Sequence, residues 1–373
     1  MKLTITKHEL LKGLSRIQSI VERRNSMPIL ANVLLEASGT GEDGSLQLAA
    51  TDLEVGIRGM HPANVRKAGG LTVSAKKVYE IVRELPEEPV HLEATANSYL
   101  SIQCARATFT LAGTAIEEYP TLPSFSPDAM VSVQAAILSS MIERTMYAAS
   151  VDETRYNLNG VYLEMLDGGK IRMVATDGHR LAITDRSFGS DALKLESGVI
   201  IPRKGLAELK RLVDEDDADE VELAFEGNSG LARRGGVTLV MRLIEGEFPN
   251  YQQVVPKGTK VSLTLSTDTL VRALRRVILL SSERSRAIKL EISDGKLVMS
   301  SNNPDLGDAL EELDIDYAGD PLTLGFNARY LLDALGAMKT KEVILSFQDE
   351  LSPAQLTPTD DEDCLAVVMP MRV

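Results

Sequence analysis

The chain has 373 residues and a formal charge of −14, with 44% hydrophobic and 25% charged residues. That length exceeds one ordinary core, so two or three globular domains are expected. With only Cys104 and Cys364, a disulfide framework and a cysteine zinc site are excluded. No apolar run reaches the ~18–20 residues of a membrane span, and residues 1–6 lack the apolar core of a signal peptide, so a cytoplasmic protein without a membrane partner is expected.

In chain order, residues 2–6 alternate as a strand. Leu10, Leu14, Ile17 and Val21 then recur at helical spacing, which predicts a helix over 7–23. Strands are expected over 29–36, 45–50 and 54–60. A second round opens at Gly70, with a strand over 71–73, a helix over 74–85 capped by Ser74, and strands over 90–94, 99–105 and 107–112. The first unit is therefore a doublet of strand, helix and several strands. It ends in Glu118-Tyr119-Pro120, and residues 120–128, with three prolines, read as a linker.

The plan repeats twice. Strand 131–133, helix 135–149 and strands 160–165 and 170–175 are followed by strand 198–201, a helix over 203–213, the acidic run 214–220 and more strands. Glu247-Phe248-Pro249 closes this unit as Glu118-Tyr119-Pro120 closed the first, and Val255-Pro256-Lys257-Gly258 is the second linker. The third unit has strand 260–265, helix 268–280, strands 287–292 and 296–300, and residues 321–325 leading into a helix over 327–338. It closes with strand 343–347, a Pro- and Asp-rich stretch over 349–363, and an apolar run from 365. Three similar domains over 1–127, 128–255 and 256–373 follow, of α+β class.

One stretch ties the units together. In Ala175-Thr176-Asp177-Gly178-His179-Arg180-Leu181, Asp-Gly lies between two strand-like runs, a strong hairpin signal. Thr51-Asp52 lies 125 residues earlier and Ser301-Asn302 lies 125 residues later. A constant spacing of this kind marks a repeat.

Charge is divided between element types. The helical windows 7–24, 74–85, 134–149, 203–213, 268–280 and 327–341 hold 19 Lys or Arg against 8 Asp or Glu, and the remainder carries a net −25. Arg272, Arg275 and Arg276 share a helix face, as do Arg203 with Lys210 and Lys204 with Arg211. Grouped like charges repel by a few tenths of a kcal/mol per pair, so stability does not explain them. A solvated face accounts for any one helix. The same bias in six helices of an acidic chain points to a surface for a polyanion, contacted through phosphates without base readout. Seven Phe, nine Tyr and no Trp leave few stacking platforms for single strands.

Enzymatic signatures are missing. No GxxxxGK[ST] occurs, which excludes a P-loop ATPase, and neither HExxH nor a Cys-rich metal signature is present. No cofactor or metal is expected. An acid–base pair of Asp177 and His179 would need a nucleophile with its own orienting group, and none is nearby. A hydrolase is thus a weaker reading of this turn than a structural hairpin or a binding surface. A sequence-specific DNA regulator would need a recognition helix, and no such motif is found.

Five motifs, in order along the whole chain, resemble the bacterial sliding clamp, the β subunit of DNA polymerase III. They are Tyr156-Asn157-Leu158-Asn159-Gly160, Ala175-Thr176-Asp177-Gly178-His179-Arg180-Leu181, Ile201-Pro202-Arg203-Lys204-Gly205, Glu247-Phe248-Pro249-Asn250-Tyr251 and Val368-Met369-Pro370-Met371-Arg372-Val373. The resemblance implies the DNA-clamp fold, with helices inside and antiparallel sheets outside. It implies a non-catalytic processivity factor, a head-to-tail homodimeric ring that encircles duplex DNA and slides without sequence specificity. Its implied partners are the polymerase III catalytic subunit, a clamp loader and other proteins carrying a clamp-binding motif.

The resemblance also implies a partner-peptide pocket between the second and third domains. This pocket would use Leu158, Thr176, Gly178, His179, Arg180, Leu181, Pro249, Val254, Val367, Met369, Pro370, Met371 and Arg372. Adaptable Met side chains suit a surface that takes several apolar peptides in turn, although a core-facing last strand would also place Met369 and Met371. DNA contacts are implied at Arg24, Tyr156, Arg203 and Lys204, with Arg275 and Arg276 added on charge alone. The subunit interface is expected at Phe109, Leu111, Leu279 and Leu280, for which plain core positions are the alternative. Three departures stand out. Gln252-Gln253 replaces residues that are often basic, and Val373 replaces a common Leu, worth up to ~0.8 kcal/mol if buried. The stretch 349–363 looks longer and more acidic than usual for the family.

Overall fold

The computed structural model describes residues 1–21, 27–95, 97–123, 125–126, 129–188, 193, 195, 197–215 and 219–372. Among them are six α-helices: α1 (Lys7–Ile17), α2 (Ala75–Glu84), α3 (Ala135–Met146), α4 (Arg203–Asp214), α5 (Thr267–Val277) and α6 (Ala328–Met338). Each follows directly on a strand, and in four cases the residue at the junction caps the helix. Thr6 accepts from the Glu9 N–H at 3.2 Å, Ser74 from Lys77 at 3.4 Å, Ser266 from Thr269 at 3.4 Å and Asn327 from Arg329 at 2.9 Å. Such a cap contributes about 1 kcal/mol.

The chain forms two compact units, residues 1–135 with 207–243 and residues 136–206 with 244–373. The first unit holds a single sheet of thirteen strands, in which Val55–Pro62 pairs antiparallel with Val237–Arg242. The second holds an eight-stranded sheet, in which Arg180–Ser187 pairs antiparallel with Cys364–Val368, and a separate sheet of four strands. The middle repeat is thereby divided. Its strands Val131–Gln134, Glu220–Glu226, Ser229–Arg234 and Val237–Arg242 belong to the first unit, and Gly160–Met165, Lys170–Thr176, Arg180–Ser187 and Val199–Pro202 to the second. Strand pairing continues from one repeat into its neighbour, so compactness follows the sheets while the sequence repeat follows the chain.

The helices bury one face on these sheets. Leu10, Leu14 and Ile17 of α1 are fully buried, and Gly13 lets the helix close on the strands. A Cβ at Gly13 would come 2.3 Å from Leu48 and 2.4 Å from the His61 ring. His61 is buried there, with Nδ1 at 3.1 Å from Glu9 and no partner on Nε2. In the second unit Leu263, Leu270, Leu274, Leu290, Leu331 and Leu335 form one core, with Phe326 and Phe347 stacked at 6.3 Å.

Several boundaries differ from the periodicity reading. α1 stops at Ile17 because the Gln18 side chain returns to the Leu14 carbonyl at 3.1 Å and the Ile20 and Val21 N–H groups both turn back to Ile17. Residues Pro28–Ala31 wind as a 3-10 turn, so the following strand starts at Asn32. Leu279 and Leu280 likewise lie in a 3-10 turn, Ile278–Leu280, beyond the end of α5. The strands Asn64–Lys67, Gly307–Asp314 and Ala354–Pro358 lie outside those expected from the sequence. The last lies within the Pro- and Asp-rich stretch, whose acids have structural partners. Asp361 receives both Arg144 and Arg186, and Asp363 receives Lys170 at 2.9 Å.

Candidate functional site

The Thr-Asp turns of the first two repeats bond themselves in the same way. The Thr176 hydroxyl donates to the Arg180 carbonyl at 2.7 Å and accepts from the Gly178 N–H, while Asp177 Oδ1 accepts from the N–H groups of His179 and Arg180 at 2.9 and 3.0 Å. Thr51 donates to the Val55 carbonyl at 3.0 Å and accepts from Leu53, and Asp52 Oδ1 accepts from Glu54 and Val55. The third residue of each turn is left-handed, Gly178 at φ 87° and Leu53 at φ 77°. The third repeat departs from this pattern. Its strand Lys296–Asn303 runs past Ser301, whose hydroxyl donates instead to the Val277 carbonyl at 2.6 Å.

Beside the second turn lies an open, mainly apolar cleft of about 580 Å³, lined by Leu158, Thr176, Gly178, Arg180, Leu181, Pro249, Asn250, Tyr251, Val254, Val367 and Met369. Four segments build it: the 3-10 turn Tyr156–Leu158, the Thr176–Leu181 turn, the loop after Pro249 and the terminal strand. Of the residues expected in a pocket, His179, Pro370, Met371 and Arg372 do not line it. The Met369 N–H bonds the His179 carbonyl at 2.9 Å and the Met371 N–H bonds Gly325 at 2.7 Å, which carries the tail away from the cleft. The His179 ring stacks on Tyr330 at 6.4 Å. Met369 is at the rim, 36% exposed, and so is not a core residue.

Asn250 and Tyr251 complete the wall. Both stand in the Glu247-Phe248-Pro249-Asn250-Tyr251 motif, but no sequence signal gives the direction of their side chains. The Tyr251 hydroxyl donates to Glu164 and accepts from Arg172 at 3.1 Å, and Arg172 in turn forks onto Asp185 at 2.7 and 2.6 Å. Burial pushes the Tyr251 phenol above its ordinary pKa. Phe248, stacked on Tyr162 at 5.0 Å, backs the ring.

The expected DNA contacts are spread over several elements, and Arg24 lies outside the described residues. Tyr156 is 55% exposed. Arg203 opens α4 and donates to the Ala149 carbonyl at 2.8 Å; burial, then the neighbouring Arg180, lowers its pKa. Arg275 and Arg276 are exposed on α5, and Arg276 forks onto Glu311 at 3.0 and 2.6 Å. Many other helix cations also carry a carboxylate, among them Arg83 with Glu84, Arg211 with Glu208, Arg272 with Asp268 and Lys339 with Glu143. Lys7 is buried, donating to the Leu85 carbonyl and pairing with Glu87.

Two edge strands expose apolar side chains. Ala107–Thr114 pairs along its length with Tyr99–Cys104 but on its other side only at Gly113 and Thr114. It carries Phe109, 38% exposed, and the half-buried Leu111. Gly307–Asp314 is the outer strand of the four-stranded sheet and exposes Leu310. Leu279 is 71% exposed and Leu280 half-buried in the turn after α5.

Residues 1–123, 132–250 and 252–372 match the N-terminal, central and C-terminal domains of the DNA polymerase III beta subunit. The chain is 38% identical over 378 residues to the beta sliding clamp of Caulobacter vibrioides and 33% identical over 374 residues to that of Escherichia coli K12, each alignment covering 100% of both chains. The chain belongs to the bacterial sliding-clamp family. Crystal structures of the Pseudomonas aeruginosa clamp, one of them bound to griselimycin, superpose with a TM-score of 0.93 at 36% identity over 100% of both chains. The clamp fold of three α+β domains is therefore established, and with it a DNA-replication subunit that is not an enzyme. The turn agrees with that conclusion. Both Asp177 oxygens are engaged, Oδ2 by Arg180 at 3.0 Å, so Asp177 is a structural group of the clamp and not half of a catalytic pair. No helix among the described residues is long and apolar enough to cross a membrane.

Proposed function

We propose that two copies of this clamp close head to tail into a ring around duplex DNA, slide on it without reading sequence, and tether the polymerase III catalytic subunit through the apolar cleft. The observation that supports closure is the pair of edge strands, Ala107–Thr114 and Gly307–Asp314. Unpaired edges with apolar side chains are a liability that a stable protein covers, and pairing one copy's edge with the other copy's second edge covers all four in a closed ring. Phe109, Leu111, Leu279 and Leu280 would lie at that joint, together with Leu310, and domains near 1–127, 128–255 and 256–373 would give six around the ring.

Enclosure holds such a ring on DNA, so weak phosphate contacts from Tyr156, Arg203, Lys204, Arg275 and Arg276 suffice and still permit sliding. The acidic remainder of the chain keeps DNA off other surfaces. The cleft, with rigid walls and an adaptable Met369, suits short apolar peptides of several partners, the clamp loader among them. Loading on circular duplex by the cognate loader, followed by linearisation in moderately high salt, tests the reading. Persistence on the circle with release from the linear form is expected. Equal retention on both forms would mean adhesive binding and would remove the ring.

A further inference from the structure

We infer that Arg180 is a positioning residue that fixes the wall of the apolar cleft to helix α6, so that peptide affinity depends on Asp333, a residue outside the cleft. The inference rests on the reading of the cleft as a peptide site.

Arg180 lines the cleft and its side chain is only 13% exposed, whereas none of the residues that surround its guanidinium lines the cleft. Nε donates to Asp177 Oδ2 at 3.0 Å and Nη1 to Asp333 Oδ2 at 2.7 Å. The guanidinium carbon lies 4.6 Å from the ring centre of Tyr330 and 5.5 Å from that of Tyr147. Tyr330 and Asp333 belong to α6, and Tyr147 directly follows α3. The backbone of the same residue pairs with Val368 and its carbonyl receives the Thr176 hydroxyl. One residue therefore joins the turn, the terminal strand, α6 and the end of α3, the first and last two through its side chain.

Arg155 Nη1 also reaches Asp177, donating to its backbone carbonyl at 3.0 Å, and Asp333 Oδ1 is held by Arg329 at 3.0 Å. Charge-assisted bonds of this kind are the strong ones, and they fix direction as well as energy. Beyond its own hydrogen bonds the turn is tied by Arg155 on the Asp177 carbonyl and by the Met369 N–H on the His179 carbonyl, and loss of the Arg180 anchor would let it sample further orientations. Binding to it would then be weakened by the fraction of time spent in the wrong one. The Asp177–Arg180–Asp333 chain removes that freedom. Nothing in the short sequence motif reveals this, because Asp333 is 153 residues away.

The test uses the full-length clamp and a fluorescein-labelled hexapeptide bearing two leucines and a phenylalanine, with two readouts: peptide Kd by anisotropy, and hydrogen exchange at the His179 and Arg180 amides. Asp333→Asn should weaken peptide binding about tenfold, the scale of one charge-assisted hydrogen bond, and speed exchange at both amides. Asp333→Glu should recover part of the loss. Arg329→Gln, which spares the Arg180 contact, should stay within about twofold of the parent. In an Arg180→Met background, Asp333→Asn should add less than about twofold, because both act through one interaction. An unchanged Kd for Asp333→Asn, or independent effects in the double variant, would overturn the inference. Should the parent clamp not bind the peptide, the cleft reading fails instead. The exchange arm then decides alone whether Asp333 holds the turn, and unchanged exchange would end the positioning role as well.

Discussion

Leu53 occupies a backbone position that its own repeat shows to be made for glycine. Its φ of 77° matches the 87° of Gly178 in a turn with the same four hydrogen bonds. An L-residue in that region costs about 1–2 kcal/mol, and the half-exposed Leu53 side chain recovers little of this by burial. Leu53→Gly should therefore stabilise the protein by roughly 0.5–1 kcal/mol, after about 0.4–1 kcal/mol of added unfolded-state entropy. Gly178→Leu should destabilise it by about 1–2 kcal/mol, with the new Cβ starting 2.9 Å from the Arg155 guanidinium. Urea midpoints of the two variants decide this. Shifts of the same sign would mean that left-handed strain does not govern the turn.

At the scale of elements, acid should loosen the molecule in two steps. His61, on the strand Val55–Pro62, packs against α1, where burial lowers its pKa. Glu9 opposes that shift, and Arg16 and Lys12 add to it. A folded pKa below the ordinary ~6.5 means that the unfolded chain takes the proton first. Stability from this site is complete above about pH 6.5 and falls as pH drops below it. For Asp361, burial acts upward, but Arg144 and Arg186 outweigh it and hold the carboxyl below its ordinary value. That contribution is complete above about pH 3.9 and is lost only as pH falls further. Hydrogen exchange from pH 7 to 3.5 should thus show α1 losing protection before the strands around Asp361, and His61→Gln should abolish the first step. Unchanged α1 protection down to pH 5 would refute the assignment. These two groups also mark the limit of what the sequence could reveal. Helix caps such as Ser74 and the Asp-Gly turn are local signals, so strand–helix units were legible, as was most of the cleft through its motifs. The partners of Asp361 lie 217 and 175 residues away, and edge strands such as Gly307–Asp314 bury too little to leave an alternating pattern.

For the whole molecule, the division of charge between helices and the rest predicts more attraction to DNA than the ion pairs leave available. Helix cations such as Arg211, Arg272 and Arg276 already carry carboxylates, whereas Lys12 and Arg275 have none within ion-pair distance among the described residues. A clamp that must slide benefits from this restraint, because each phosphate neutralised steepens the salt dependence by about 0.9 in log Kd against log salt. Arg276 offers a way to test it, since Glu311 alone holds its guanidinium in a two-pronged pair. Glu311→Gln should release one cation toward the phosphates. Affinity for linear duplex should rise at low salt, and the slope should steepen by roughly 0.9, measured by anisotropy across a NaCl series. Arg276→Gln should produce no steepening, and in combination with Glu311→Gln it should abolish the gain. If Glu311→Gln changes neither affinity nor slope, Arg276 does not face DNA, and the basic face of α5 is a solvated surface balanced by its own carboxylates.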